Sequence, residues 1–269
     1  MITIDDGTKK VRMEDFGFRA LMEHNVAHTA SVSTTTQSIP SRIGLIPVKQ
    51  QVGSKAVSMS LRRLDRDEIT ANYETDRLLD VLFDDLYQPK PLKVIMDYDK
   101  DKYMNVYVYG DLESVRRSII SEMPLNFVAY DPRRYSIVNA DEITWGSTEI
   151  TFESTTYTYG HEGVDSSFNI KGATTKKIDV IGLALQPQIS IWGRATNLVI
   201  TNQGKKITVG TFENKLWEID CEKYIAYQDG VEKMIPMDKF MLRKGMNNVQ
   251  FSGTDIDIDV TIKFRDRWK

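Results

Sequence analysis

Cysteine is almost missing from this chain: Cys221 stands alone, which excludes an internal disulfide framework and any CxxC or Cys/His zinc spacing. Its strand-like apolar setting points to a buried bystander rather than a reactive thiol. Histidine is also scarce, at three residues. His24 and His28 have the spacing of two zinc ligands on a helix, but Asn25-Val26-Ala27 lacks the glutamate of the metalloprotease motif and no third ligand is near. His161 lies far off beside glycine, so no nucleophilic triad can be assembled. There is no GxGxxG, and Gly204-Lys205-Lys206 lacks the glycine run of a phosphate loop. No apolar run is long enough to span a bilayer, and the first twenty residues are too charged for a secretion signal, which points to a product made in a cytoplasm. An excess of positive charge is missing too. A net charge of −3 and a pI near 5.7 argue against tight non-specific nucleic-acid binding, though a local basic patch stays open.

What is present is an ordinary globular composition, 41% hydrophobic and 27% charged over 269 residues, enough for one large or two ordinary domains. The organising stretch runs from Pro89 to Tyr135. Leu92, Val94, Met96 and Tyr98 alternate on one face of a first strand, and Met104, Val106 and Val108 on one face of a second. Asp99-Lys100-Asp101-Lys102 between them is too polar to bury and is expected at a hairpin tip. A third strand, about Ile119 to Tyr130, turns Leu125, Phe127 and Ala129 to one side and stops at Pro132, which removes a donor. The chain is expected to divide here into domains of residues 1–140 and 141–269.

Upstream, two short strands meet at Asp6-Gly7, a residue pair suited to tight hairpins. From Thr29 to Ser54 the residues turn to Ser, Thr, Gln and Gly around Ile39-Pro40-Ser41-Arg42-Ile43-Gly44. Few of them could anchor a core. An arm that finds partners on another subunit fits, and a solvent-exposed loop is the plainer alternative. Lys55 to Leu64 then alternates, with Val57, Met59 and Leu61 on one side. A single helix is expected over 76–88, with Thr75 as N-cap, Pro89 as stop, and Leu78, Leu79, Leu82, Phe83 and Leu86 as its buried stripe.

Downstream of a polar linker the residues form strands only. Expected strands are Glu149–Tyr159, Phe168–Ile170, Lys177–Ile181, Gln188–Trp192, Asn197–Thr201, Lys206–Gly210, Leu216–Cys221, Ile225–Tyr227 and Glu232–Ile235. A turn at Gly245 to Asn248 leads to Phe251, and an unbroken alternation from Asp255 to Arg265 closes the chain. Short strands at this spacing predict a sandwich or barrel.

Several groups invite chemistry. Asp97-x-Asp99-x-Asp101 opens like a calcium loop but lacks its glycine and glutamate, with Lys102 and Val108 in their places. Asp80, Asp84 and Asp85 fit a solvated helix face. Asp255, Asp257 and Asp259 share a strand face at about 7 Å spacing, where an exposed polar face needs fewer assumptions than a metal. Acid pairs for glycoside hydrolysis are open, with nothing favouring any pair. Trp145, Trp192, Trp217 and Trp268 could stack on sugars, Trp145 and Trp192 being the candidates singled out, while tryptophans buried in a β core are the commoner case.

Phe127-Val-Ala-Tyr130-Asp131-Pro132-Arg-Arg-Tyr135 after a hairpin resembles the distal tail protein (Dit) family of long-tailed phages. The resemblance extends in order along the chain: N-terminal strand pair, polar arm with Ile-Pro-Ser-Arg-Ile-Gly, one helix, the hairpin, an all-β second half, and the closing Asn247-Asn-Val-x-Phe251-Ser-Gly and Phe264-Arg-Asp-Arg267-Trp268. It implies a mainly β fold with one short helix: an N-terminal β-sandwich with helix and extended arm, and a C-terminal galectin-like, carbohydrate-module-like β-sandwich. It further implies a homo-oligomeric ring, usually a hexamer, in the virion tail tip, assembled in the bacterial host cytoplasm. The arm, with Ile39, Pro40, Arg42, Ile43 and Gly44 at its centre, would reach a neighbouring subunit. Expected partners are tail tube protein, tape-measure protein, a tail-associated tip protein and receptor-binding proteins, with DNA only in transit through a channel. No membrane, cofactor, metal or reaction is implied. Rival readings are a carbohydrate-binding module used in host attachment and, last, a glycoside hydrolase fused to a sandwich.

Overall fold

The computed structural model describes residues 2–41, 43–64, 67–117, 120–142, 154, 156 and 166–269. The fold is mainly β with one α-helix, as expected from the alternation. It separates into two compact units, residues 1–134 with Lys269, and Tyr135–Trp268.

In the first unit β1 (Ile2–Asp5), β2 (Lys10–Arg12), β3 (Arg19–Val26), β4 (Val32–Ser38), β5 (Leu45–Val52) and β6 (Lys55–Leu64) precede the helix α1 (Glu68–Leu82). After it come β7 (Leu92–Met96), β8 (Asp99–Val108), β9 (Val115–Arg117) and β10 (Ile120–Ala129). The strands lie in the order β2-β1-β7-β8-β10-β6-β3, with β9 against the start of β10 and β4-β5 forming a sheet of their own. Inward residues of β6, β7, β8 and β10 (Val57, Met59, Leu61, Leu92, Val94, Met104, Val106, Leu125, Phe127) pack with Ile4, Phe16 and Phe18 in one core. The period of two seen in the sequence is therefore the period of burial.

Two local expectations are corrected here. The helix starts at Glu68, not Asp76, because Asp67 caps it by accepting from the Thr70 N–H at 3.0 Å. Thr75 lies inside the helix and donates to the Ala71 carbonyl at 2.8 Å. The helix ends at Leu82, before Pro89. Asp84 takes the N–H groups of Leu86 and Gln88 at 2.9 and 2.7 Å, a turn that competes with further helix, and Leu86 is exposed. The second correction concerns the hairpin tip. The chain turns at Asp97-Tyr98, with Met96 paired to Asp99, so Asp99 to Lys102 belong to β8. Asp99 tolerates partial burial because Lys102 and Arg134 reach it at 2.7 and 2.8 Å, and Tyr98 points out.

The second unit begins in β11 (Arg134–Ser136) and holds β12 (Ser167–Ile170), β13 (Thr174–Val180), β14 (Gln188–Asn202), β15 (Lys205–Asp220), β16 (Ile225–Gln228), β17 (Val231–Glu232), β18 (Gly245–Lys263) and β19 (Arg267–Trp268). One sheet runs β12-β18-β14-β15-β16-β17, with β13 on the first half of β18. Paired segments expected as separate strands are halves of single long strands. In β18 the buried positions are Asn247, Val249 and Phe251, then Ile256, Ile258, Val260 and Ile262, a change from odd to even. Gly253 and Asp255, both at positive φ, absorb the extra residue. Asn197 in β14, and Gly210 and Asn214 in β15, mark the same kind of shift at positive φ. The bends let one strand wrap a core from Ile170 to Phe264. The strand expected over Glu149–Tyr159 lies, apart from Ser154 and Thr156, outside the described residues.

Two buried polar residues of this unit, Asn247 and Asp266, are well bonded, whereas Asn202 Oδ1, Trp217 Nε1 and Arg267 Nε are buried with no hydrogen-bond partner among the described residues. Asn247, 1% exposed, donates to the Arg243, Gly245 and Ile178 carbonyls at 2.7, 2.8 and 3.3 Å and accepts from the Arg243 N–H at 2.9 Å. Asp266 accepts from the Ile181 and Gly182 N–H groups at 3.0 and 3.1 Å. Arg265 donates to the Ser136 and Ile137 carbonyls. The closing motif thus fixes the unit's own first residues. Asp229-Gly230 forms the tight turn expected of it, with φ of 50° and 79°.

Candidate assembly surface

The residues from Thr29 to Ser54 are not an unpaired loop. β4 and β5 form an antiparallel ladder from Val32↔Val52 to Ser38↔Leu45, with an irregularity beside Thr35 and Thr36. At its root Ser31 donates to the Ser54 carbonyl at 3.1 Å and Gly53 to the Ser31 carbonyl at 2.7 Å. Threonine and valine favour extended backbone, which explains a ladder in so polar a segment. The tip is Ile39 to Gly44, where Ser41 and Gly44 take φ of 69° and 97°.

No residue of β4 or β5 is buried, and neither strand joins the core of its own unit. Residues directly opposite in a ladder share a face, so Val32, Val52, Pro47 and Leu45 lie together on one side and Ile46 and Lys49 on the other. Val32, Leu45, Val48 and Val52 are each between 62% and 64% exposed. Among the described residues the outer edges of both strands carry no further strand. A lone two-stranded ribbon is marginal in water, and unpaired edges with exposed apolar side chains invite pairing. The segment contains Arg42 and Lys49 but no Asp or Glu.

Of the arm residues singled out in the sequence, Ile39, Pro40, Ile43 and Gly44 come together at the tip, all exposed. Arg42 lies outside the described residues. Val32, Leu45, Val48 and Val52 were missed. Their signal was present as isolated apolar residues in a polar run, but only the register shows which of them share a face.

The other candidates are dispersed. Trp217 is buried, Trp192 on β14 is 50% exposed, and Trp145 and His161 lie outside the described residues. On the outer face, Asp259 accepts from Asn169 Nδ2 at 2.8 Å. Among the described residues no group of three metal-ligating side chains comes together. Cys221 is fully buried, and burial followed by the nearby Asp220 charge pushes its thiol up to about 12.

No family model matches the sequence, and neither does any curated protein. Among solved structures, the Dit protein of phage SPP1, described as a paradigm of the hub adsorption apparatus in phages infecting Gram-positive bacteria, superposes with a TM-score of 0.70. The match covers 100% of both chains at 13% identity. Chains of the phage P2 baseplate, in its activated conformation with calcium or with strontium, match at a TM-score of 0.44 and 12% identity. They cover 98% of this chain and 98% or 97% of theirs, a score too low to bear on the fold.

Proposed function

We propose that this chain, which has the fold of SPP1 Dit from end to end, is a structural hub of a long-tailed phage. Copies associate into a closed ring, taken as a hexamer, at the distal end of the tail. The ring joins the tail tube to tip and receptor-binding proteins and leaves a channel for the tape-measure protein and DNA. It performs no reaction and needs no cofactor. The observation that carries this reading is the β4-β5 arm, whose apolar face and open edges have no counterpart in their own core. A closed ring needs heterologous contacts, one patch meeting a different patch next door. A protruding ribbon supplies such a patch, because its edge can add to a neighbour's strand.

Light scattering and negative-stain microscopy of the purified chain test it. A ring is expected from the intact chain, and a folded, soluble protein without rings after deletion of residues 32–52. An unchanged particle size after the deletion defeats the proposal. A second reading, glycan binding by the second unit, rests on the half-exposed Trp192 ring. It requires array binding that Trp192→Ala abolishes, and an array without hits removes it.

A further inference from the structure

Lys55 occupies a position in β6 that the alternation reserves for the core, in phase with Val57, Met59 and Leu61. It is 4% exposed. It lines a cavity of about 170 Å³ in the first unit, together with the apolar side chains of Val26, Val94, Met96 and Met104 and the charged groups of Asp99, Lys102 and Arg134. Asp99 is committed to Lys102 and Arg134, at 2.7 and 2.8 Å. Among the described residues nothing accepts a hydrogen bond from, or pairs with, the Lys55 ammonium. The cavity lining carries three cations, Lys55, Lys102 and Arg134, and one carboxylate, Asp99.

The Lys55 side chain is almost wholly covered, its ammonium still opens onto the cavity, and an unpaired, partly desolvated ammonium so placed gains from a counter-ion. Burial, and then the charge of Arg134, pushes Lys55 below the usual lysine range, as expected of an ammonium that lacks its anion. Arg134 has donors to spare. Its Nη1 serves Asp99 and its Nε the Lys269 carbonyl at 3.2 Å, which leaves three of the five N–H groups of a guanidinium. The volume is well below that of a drug-sized site, and beside the polar groups, which include His28, Tyr98 and Tyr103, the wall of Val26, Val94, Met96 and Met104 gives a short apolar stem a place to lie.

We propose that this cavity binds a carboxylate carried on a short apolar stem, the oxygens meeting Lys55 and Arg134 and the stem lying against Val94, Met96 and Met104. An acidic side chain presented by another copy of this chain and a free monocarboxylic acid share that chemistry. The site does not depend on the ring proposed above, so each stands or falls separately.

Thermal unfolding of the full chain with sodium butyrate, against sodium chloride and sodium phosphate at matched ionic strength, tests the proposal. Butyrate is expected to raise the melting temperature saturably, by about 5 °C at a hundredfold excess over its Kd. Neither control salt should match it, and Lys55→Met should abolish the rise. No saturable rise, an equal rise with phosphate, or an equal rise in Lys55→Met overturns the assignment. Should Lys55→Met fail to fold, Arg134→Gln, altered at the half-open rim, reads the same point. A butyrate midpoint at least tenfold higher supports the site, and an unchanged midpoint removes it. Repeating the titration on assembled and dissociated protein separates the sources. A response lost on assembly assigns the carboxylate to a neighbouring copy, and a response kept in both assigns a free acid.

Discussion

The second unit and the β4-β5 arm are both antiparallel β structure, yet they sit at opposite extremes of completeness. In the second unit three long strands bend at positive-φ residues and enclose a core that includes Ile178, Ile200, Phe251 and Ile262. Its buried Asn247 and Asp266 are held by backbone groups of neighbouring segments. In the arm the two strands also form a continuous ladder, but none of the side chains of β4 or β5 is buried. A ladder alone therefore does not make a stable element. Backbone pairing nets little against water, and the stabilisation comes from apolar area removed from water, which the arm does not supply for itself.

Substitutions can sharpen or break that contrast. The largest loss is expected from Asn247→Leu, which strips the partners from the Arg243 N–H and three carbonyls at a site closed to solvent. About 3 kcal/mol or more of stability should go, read by urea unfolding followed through tryptophan fluorescence. A loss under about 0.5 kcal/mol would mean the buried polar set is not what completes the second unit.

A smaller effect is expected in the first unit at Asp6. Partial burial raises its carboxyl, but the Thr8 hydroxyl and the Lys9 and Thr8 N–H groups outweigh that and hold it down to about 2. A group depressed on folding stabilises above its unfolded value near 3.9 and loses that contribution as pH falls through the folded value. Between about pH 4 and pH 2 the wild type should thus lose roughly 1 kcal/mol more than Asp6→Asn, after allowance for solvent screening. Parallel curves for the two proteins in acid denaturation would refute it.

The smallest effect on stability, and the one that tests the contrast most directly, belongs to the arm. Val32→Ser with Leu45→Ser alters two side chains that touch no core, so the unfolding free energy should move by less than about 0.5 kcal/mol. Self-association, followed by analytical ultracentrifugation, should nevertheless weaken at least tenfold. A large stability loss with association intact would show that the arm folds back on its own unit, and the contrast would be gone.

Much of this could be seen in the residues before any coordinates. The alternations at Leu92–Met96, Met104–Val108 and Leu125–Ala129 are core faces because a strand has a period of two and no other regular element does. The arm stood out because a run rich in Ser, Thr and Gln has nothing to bury. The long strands of the second unit were hidden for a physical reason. A bulge flips the inward phase, so Gln188–Trp192 and Asn197–Thr201 look like two strands when they are one. The helix start was hidden because Asp67 and Thr75 are both good caps, and only the hydrogen bonds tell which is used. Lys55 was overlooked because a lysine at a strand end normally faces water.

Composition and local pattern alone determined that the chain is β-rich, that it divides near its middle, that it lacks the common catalytic motifs, and that one segment is unsuited to a core. These follow from short-range rules of burial and backbone geometry. Tertiary structure decided which apolar arm residues share a face, that Asp99 to Lys102 run inside a strand, and that Lys55 lies beside Arg134 with no acid paired to it among the described residues. Those depend on register and on residues distant in sequence meeting in space, which no local pattern encodes.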